Sequence, residues 1–155
     1  MEKLAWICAG ALILTGCATQ PPQPLPAPEA TATLEAPFDK AWGLVVAEIA
    51  NDYPLQIIEK QSGILQSQMV TIGSGFGAEG ALRRYGYSPG ILLATWSGAR
   101  ASLSAFVKPV DETHTSVKIK AHFEGFEDNV THGWQVWRSR ALLEQQILDK
   151  VSASL

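Results

Sequence analysis

A glycine-rich stretch of this chain matches the spacing of a motif that binds nucleotides in other proteins. Gly75-Phe76-Gly77-Ala78-Glu79-Gly80 matches the spacing G-x-G-x-x-G and follows a strand-like run. In dinucleotide-binding proteins this pattern lies in a βαβ unit, where a helix N-terminus faces the pyrophosphate and an acidic residue about twenty positions later binds the ribose. Residues from Ile91 onward read as antiparallel strands instead, and no Asp or Glu lies near position 100. We therefore predict a flexible loop at these glycines, with no nucleotide and no other cofactor.

The histidines and their acidic neighbours are candidates for metal binding or proton transfer. The chain has three histidines, His114, His122 and His132. Their spacing of eight and ten residues matches no compact metal site, and solvated polar side chains explain them. Glu124, Glu127 and Asp128 resemble an acid–base cluster, but a strand end followed by an acidic turn explains them equally well. We therefore predict no metal site and no enzymatic activity.

The N-terminus has the layout of a secretory signal peptide. Lys3 is followed by an uninterrupted apolar run, Leu4 to Leu14, and small residues then lead to Cys17. The run is too short to span a bilayer as a helix. Leu14-Thr15-Gly16-Cys17 resembles the bacterial lipobox, in which the cysteine thiol receives a diacylglycerol and the signal is cut just before that cysteine. The resemblance implies a lipoprotein that begins at Cys17 and is held to a membrane by acyl chains such as palmitate. An ordinary cleaved signal with a chance cysteine is the alternative.

Residue 18 and the charge of the chain indicate where the protein works and what it does not bind. Ala18 stands where an aspartate favours retention at the inner membrane in lipoproteins of Gram-negative cells, so the resemblance implies the outer membrane, with the domain facing the periplasm. The formal net charge is −3 without a Lys/Arg cluster, which argues against nucleic acid as a partner. Cys8 leaves with the signal and the lipid occupies Cys17, so no thiol remains for a disulfide.

Composition divides the chain into three parts. We predict a signal peptide at 1–16, a Pro-rich spacer at 17–31 and a single α+β domain at 32–155. Five of the nine prolines lie between Ala18 and Ala30, a composition that favours an extended polyproline II conformation. The remaining length allows one domain with a proper core. A proline-rich docking ligand is the alternative interpretation of the spacer.

Hydrophobic periodicity predicts the elements of the domain. One apolar stripe predicts a helix that begins at Pro37 and ends before Pro54, formed by Phe38, Trp42, Val45, Val46 and Ile49. Strand-like runs are found at 32–34, 55–60, 64–72, 91–96, 101–107 and 117–123. A second helix is predicted at 137–151, with Arg140 and Glu144 paired one turn apart. We therefore predict an α+β fold in which an antiparallel sheet of about five strands carries two helices on one face.

The segment Gly73–Gly90 reads as a long glycine-rich loop, and a loop of this length in a compact domain is often functional. Its arginines and tyrosines belong to the residue types that are enriched at binding hot spots. We predict that these arginines and tyrosines bind a partner; they are Arg83, Arg84, Tyr85 and Tyr87. Trp96, Trp134 and Trp137, which flank predicted elements, are the next candidates.

Two segments of the domain resemble a known family. Phe38-Asp39-Lys40-Ala41-Trp42 opens the first helix, and Leu55-Gln56-Ile57-Ile58-Glu59-Lys60-Gln61-Ser62-Gly63-Ile64 reads as strand, turn and strand. Over roughly residues 32–155 the pattern resembles the repeated domain of the BamC (NlpB) lipoproteins, accessories of the outer-membrane β-barrel assembly machinery. The resemblance implies a role in outer-membrane assembly. BamC carries two such domains and a long N-terminal extension, whereas this chain has one domain and a short spacer.

Together these patterns predict a lipid-anchored envelope lipoprotein that acts as a non-enzymatic protein-binding or accessory module. Its expected partners are the membrane, through acyl chains on Cys17, and another envelope protein. The alternative is a binder of a small apolar or glycan ligand, held between helix and sheet or on the tryptophans.

Overall fold

The computed structural model describes residues 28–155. The predicted signal peptide, Cys17 and most of the predicted spacer lie outside these described residues, so their assignments stay predictions. Within the described part, no helix is both long enough and apolar enough to cross a membrane.

Between Pro28 and Leu155 the chain forms eight strands and three helices. In chain order they are β1 (Ala30–Leu34), α1 (Phe38–Asp52), β2 (Leu55–Glu59), β3 (Ile64–Ser67), β4 (Val70–Ser74), α2 (Phe76–Tyr85), β5 (Gly86–Tyr87), β6 (Trp96–Pro109), β7 (Thr115–Glu127), β8 (Gly133–Ser139) and α3 (Leu142–Ala153). All eight strands belong to one antiparallel sheet.

Two long strands form the centre of this sheet. β6 and β7 pair along almost their whole length, from Trp96 opposite Glu127 to Pro109 opposite Thr115. β3 and β4 pair with successive parts of the other edge of β6, and β1 and β8 pair with successive parts of the other edge of β7. β2 extends the sheet beyond β3, and β5 extends it beyond β8. The sheet therefore has two halves that share the central hairpin.

The two faces of the sheet differ in what covers them. On β6 the odd-numbered residues from Ala99 to Val107 are buried, whereas the even-numbered residues from Arg100 to Phe106 are only half-buried. All three helices contact the buried face, α1 and α3 over the half that contains β1 and β3, and α2 over the half that contains β4. Among the described residues the opposite face carries no helix, and we term it the helix-free face.

The predicted first helix is confirmed as α1. Its buried side chains include Trp42, Val45 and Ile49, and Phe38 stacks on Trp42 with the ring centroids 6.1 Å apart. Pro37 precedes the first turn, where its missing N–H is not needed. The helix ends two residues before the next proline, since the residue before a proline avoids the helical conformation. The local pattern was sufficient for this element.

The predicted sheet of about five strands with two helices is wrong in both numbers, although the architecture remains α+β. The run 64–72 is two strands, because the chain crosses from one half of the sheet to the other at Gln68 and Met69. The run 91–96 is irregular up to Trp96, the first residue of β6. The apolar content of a segment therefore does not show where strand pairing begins and ends.

The second helix begins later than predicted, because residues 133–139 form a strand. β8 pairs with β7, with Trp137 opposite Phe123 and Gly133 opposite Glu127. Ala141 then takes a left-handed φ of 62°, and α3 starts at the next residue. Trp137 is buried in the sheet and not on a helix, so the predicted span 137–151 is wrong in its first part.

The predicted Arg140–Glu144 pair is also replaced by other contacts. Arg140 lies before the helix, and its Nε donates to the carbonyl of Gly86 at 3.0 Å. Glu144 is buried, and its Oε1 accepts hydrogen bonds from Ser139 Oγ at 2.6 Å and from the Ala121 N–H at 3.1 Å. Glu144 thereby bonds to a part of β7 that lies between its partners β1 and β8.

The predicted loop at Gly73–Gly90 is wrong, since its centre is helix α2. Glycine costs about 1 kcal/mol relative to alanine in a helix interior, and Gly77 and Gly80 therefore make the segment read as a loop. Ala78 and Leu82 are fully buried against the sheet, and tertiary packing of an apolar face supplies most helix stability in proteins. The free energy gained by burying these two side chains therefore outweighs the low helix propensity of the glycines.

Two glycines in the strands allow α2 to lie close to the sheet. A Cβ on Gly73 would be 3.1 Å from Ala78 Cα. A Cβ on Gly125 would be 2.7 Å from both Leu82 Cδ1 and Trp96 Cε3. A side chain at Gly125 would therefore force its neighbours to shift, and one at Gly73 would be in tight contact with α2.

Candidate functional site

The residues predicted to bind a partner are distributed over α2 and β5 and not along a loop. They are Arg83, Arg84, Tyr85 and Tyr87. The two arginines are exposed, and Arg83 pairs with Glu79 one turn earlier, with Nη2 2.7 Å from Oε1. Tyr85 is half-buried and stacks on Phe123 with centroids 5.9 Å apart, so it contributes to the core. Tyr87 is exposed in β5. Their role in partner binding stays a prediction.

A surface of aromatic and arginine side chains lies where β8 and β5 meet the helix-free face. We term it the Arg–aromatic surface; its residues are Tyr87, Arg100, Trp134, Val136, Arg138 and Arg140. The guanidinium carbon of Arg100 is 3.8 Å from the centroid of the Trp134 ring. Tyr87 contacts two guanidinium groups, Arg138 at 4.7 Å and Arg140 at 4.5 Å. Each exposed ring is thus held by at least one cation–π contact.

Strand register brings these side chains together. β8 pairs Trp134 with Phe126 and Val136 with Glu124. Side chains at alternate positions of a strand share one face, so Trp134 and Val136 point away from the helices. The Trp134 ring meets Phe126 edge-on, with centroids 5.4 Å apart. A fold that left residues 133–139 in a helix would not form this surface.

Glu124 on the neighbouring strand holds Arg100 in position. Arg100 Nε donates to Glu124 Oε2 at 2.6 Å, and Nη2 contacts the same oxygen. Burial alone would raise the pKa of Glu124, but hydrogen bonds from His122 and Arg100 outweigh that effect and lower the pKa below its usual range. The carboxylate is therefore ionised at neutral pH and keeps Arg100 over Trp134.

The outer edge of β8 is open along most of its length. β5 pairs only with Arg138 and Ser139, and among the described residues no other strand pairs with this edge. Arg140 N–H donates outward to the Tyr85 carbonyl at 2.8 Å. Because amides of alternate residues point to opposite edges, the backbone groups of Trp134 and Val136 also point outward. An uncharged open edge of this kind is available for pairing with another chain.

Glu127 is a buried carboxylate that holds two connecting segments together. Oε1 accepts the N–H groups of Thr95 at 3.1 Å and Asn129 at 2.7 Å, and Oε2 accepts those of Val130 at 2.8 Å and Thr131. Burial would raise the pKa of Glu127, but these backbone bonds outweigh it and lower the pKa to about 2. Glu127 thus ends β7 and binds the backbone amides of the turn that follows it.

Two of the three histidines contact acidic side chains. His114 Nδ1 lies 2.9 Å from Asp111 Oδ1 in the β6–β7 turn, and His122 Nε2 lies 3.0 Å from Glu124 Oε1. In the part of the chain that the structure describes, no group of three or more potential ligands converges.

The glycine pattern does occur at a junction of strand and helix, contrary to the predicted loop. β4 precedes Gly75 and α2 follows it. The next strand, β5, pairs with β8 on the opposite side of the sheet, and β4 runs antiparallel to its neighbour β6. Residues 70–87 therefore do not form the parallel βαβ unit in which the fingerprint binds pyrophosphate.

A second motif, G-x-S-x-G, is present at Gly86-Tyr87-Ser88-Pro89-Gly90. In hydrolases this pattern forms a sharp turn between a strand and a helix that exposes the serine. Here it follows a helix and leads into an irregular segment. Ser88 Oγ accepts the Gly90 N–H at 3.3 Å. The structural context of a nucleophile is therefore not met.

A depression of about 270 Å³ lies on the helix-free face near β1. Its lining residues are Thr31, Phe106, Lys108, Ser116, Lys118 and Lys120. Glu29 lies 2.5 Å from Lys118 Nζ and 3.7 Å from Lys120 Nζ. This carboxylate offsets one of the three lysine charges, so the depression remains cationic.

Comparison with models of known protein families and with curated protein sequences gives no match for this chain.

Proposed function

We propose that this protein is a lipid-anchored lipoprotein of the outer membrane that faces the periplasm and binds another envelope protein without catalysing a reaction. Acyl chains on Cys17 are its proposed attachment, and the Arg–aromatic surface is its proposed binding site. The observation that carries the proposal is that two aromatic rings, Trp134 and Tyr87, remain exposed while arginine side chains hold each of them.

The residue types of the Arg–aromatic surface favour a protein partner. A few residues dominate the binding energy of protein interfaces, and Trp, Tyr and Arg are enriched among them. Rings that are already held in one orientation lose little side-chain entropy on binding. The surface also borders the open edge of β8, with which an extended segment of a partner can pair through its main chain.

The proposed anchor rests on the resemblance of Leu14-Thr15-Gly16-Cys17 to a lipobox. One acyl chain binds membranes only marginally, whereas two or more chains on one residue anchor stably. The proposed role in outer-membrane assembly rests on the resemblance to the BamC domain, and the partner would then be a component of that machinery.

A photo-crosslinking comparison in intact envelopes tests the binding surface. Benzoylphenylalanine replaces Val136, which is 58% exposed on β8, or Ile58, which is 56% exposed on β2 at the opposite end of the strand order. The two positions match in residue type and exposure, so they differ in location alone. We expect discrete protein adducts from Val136 and none from Ile58.

Two substitutions then test which side chains carry the binding. Trp134→Ala and Tyr87→Ala should remove the Val136 adducts, and far-UV circular dichroism verifies that each variant is folded. Equal adducts from both positions, or adducts that survive both substitutions, would refute the surface. A small-ligand binder gives no reproducible adduct at either position.

Fractionation tests the anchor separately. Cys17→Ser should leave the protein unprocessed or soluble, because acyl chains are its proposed membrane affinity. A variant whose signal peptide is cleaved and which still stays with the membranes after a high-salt wash contradicts lipid anchoring, because an uncleaved signal would itself hold the protein there.

A further inference from the structure

Three connecting segments at one end of the sheet present exposed apolar side chains. We term this group the apolar tip; it consists of Phe76, Leu92, Leu93 and Val130. Phe76 is fully exposed at the start of α2, and Leu93 is 77% exposed in the segment between β5 and β6. Exposed apolar side chains that are grouped at one end of a folded protein indicate a contact site with another apolar phase or molecule.

Hydrogen bonds hold the three segments next to each other. Asn129 Nδ2 donates to the Leu93 carbonyl at 2.9 Å, and Asp128 N–H donates to the Thr95 carbonyl at 2.9 Å. Gly75 N–H donates to the Ser97 carbonyl at 2.8 Å. Residues of the α2 start and of the 95–97 segment, among them Phe76 and Thr95, line one depression of about 310 Å³. Together with the buried Glu127, these bonds fix the tip as one unit.

We propose that the apolar tip contacts the lipid bilayer to which the chain is anchored, as a second membrane contact. This inference rests on the proposed lipid anchor. The tip side chains are phenylalanine, leucine and valine, without the Tyr, Trp and Arg that characterise protein hot spots. Apolar side chains of this kind gain free energy by entering the acyl boundary of a membrane. The Arg–aromatic surface remains the site for the protein partner.

The direction of the chain supports this orientation. β1 runs antiparallel to β7, with Leu34 opposite Thr115 and Ala30 opposite Ile119. Thr115 is at the far end of β7 and Glu127 is at the tip end, so Glu29 and Pro28 lie on the tip side of Ala30. The ion pairs of Glu29 with two β7 lysines keep this entry against the sheet.

The length of the tether is compatible with simultaneous contact. Ten residues lie between Cys17 and Pro28, and a fully extended chain of this length spans at most about 40 Å. From the level of Ile119 to that of Glu127 the sheet extends about 25 Å. The acyl chains and the tip can therefore reach one bilayer at the same time.

A fluorescence measurement on the lipidated full chain tests the contact. If Cys17 is acylated and Cys8 removed, a Leu92→Cys substitution introduces the only free thiol, which is labelled with an environment-sensitive dye. The protein is reconstituted in phosphatidylethanolamine–phosphatidylglycerol vesicles that contain acyl-brominated lipid. Val110→Cys is the matched control, since Val110 is an exposed apolar residue of the β6–β7 turn at the opposite end of the hairpin. Far-UV circular dichroism verifies that both variants are folded.

We expect bromine to quench the dye at position 92 and to leave the dye at position 110 unchanged. Phe76→Ser should reduce the quenching at position 92. Two unquenched dyes on protein that stays in the vesicle pellet after an alkaline wash would overturn the tip contact and leave the anchor intact. Protein that leaves the vesicles in that wash refutes the anchor and the tip contact together. If the dye at position 92 reports an apolar environment only after envelope proteins are added, the tip is a protein-binding site and the bilayer contact is overturned.

Discussion

Alanine substitutions at three glycines around the start of α2 test whether this segment is a helix, which the sequence analysis does not predict. At Gly75, Gly77 and Gly80 a Cβ would have no neighbouring heavy atom within 4 Å, so steric crowding is equal at the three positions. They differ in backbone conformation, because Gly75 has a φ of 52° and a ψ of −134° while the other two lie within the helix. Substitution by alanine should therefore have opposite effects.

The expected magnitudes follow from these conformations. In a helix interior, Gly→Ala gains about 0.5–1 kcal/mol, so Gly77→Ala/Gly80→Ala should stabilise the protein by about 1–2 kcal/mol. At Gly75 a side chain forces a strained backbone, which costs about 1–3 kcal/mol. For a domain of this size 1 kcal/mol corresponds to about 3–4 °C in melting temperature. We expect a rise of about 3–8 °C for the double variant and a fall of about 3–12 °C for Gly75→Ala.

Thermal unfolding of the purified variants, followed by far-UV circular dichroism, measures both shifts. Urea denaturation gives the free energy of unfolding independently. If the double variant left the melting temperature unchanged and Gly75→Ala were neutral, the segment would behave as a flexible loop. The assignment of α2, and with it the packing of Leu82 on the sheet, would then be wrong.

Three further predictions concern the core and the tip end of the sheet. Trp42→Ala should cost about 3–5 kcal/mol, because it deletes a buried ring from α1; an unchanged urea midpoint would contradict that burial. Gly125→Ala should cost about 1–3 kcal/mol, because its Cβ would collide with Leu82 and Trp96; calorimetry measures the loss, and Gly77→Ala is the control. The folded-state pKa of Glu127 is lowered to about 2 from 4.5, so its contribution to stability is complete above pH 4.5 and is lost as the pH falls towards 2. Glu127→Gln should therefore destabilise the protein at pH 7 more than at pH 3, and equal urea midpoint shifts at both pH values would disprove this.

Local patterns were sufficient for part of the fold. α1, the β2–β3 turn and the alternation of Val117, Ile119 and Phe123 in β7 are all as predicted. Each of these elements has a periodic apolar face of its own and clear flanking residues, so its conformation can be inferred from neighbours in the sequence. The numbers of strands and helices could not be inferred in this way.

The candidate site was predicted only in its residue types. The sequence pattern indicates Tyr87 and, as an alternative, Trp134. It does not connect them with Arg100, Val136, Arg138 and Arg140. They lie far apart in the sequence and meet through strand pairing. The signal that could have revealed β8 is the alternation of Trp134, Val136 and Arg138 with Gln135 and Trp137, which the expected helix obscured.

The sequence alone thus establishes which segments can form amphipathic elements, because the periods of 3.6 and 2 residues are properties of the local chain. Only the tertiary structure decides that residues 76–85 are a helix and residues 133–139 are a strand. The glycines of α2 disfavour a helix locally, and burial of Ala78 and Leu82 reverses that preference. Trp137 is compatible with a helix or a strand, and its pairing opposite Phe123 on β7 places it in a strand. In both cases contacts between residues distant in the sequence contribute more free energy than local propensity does.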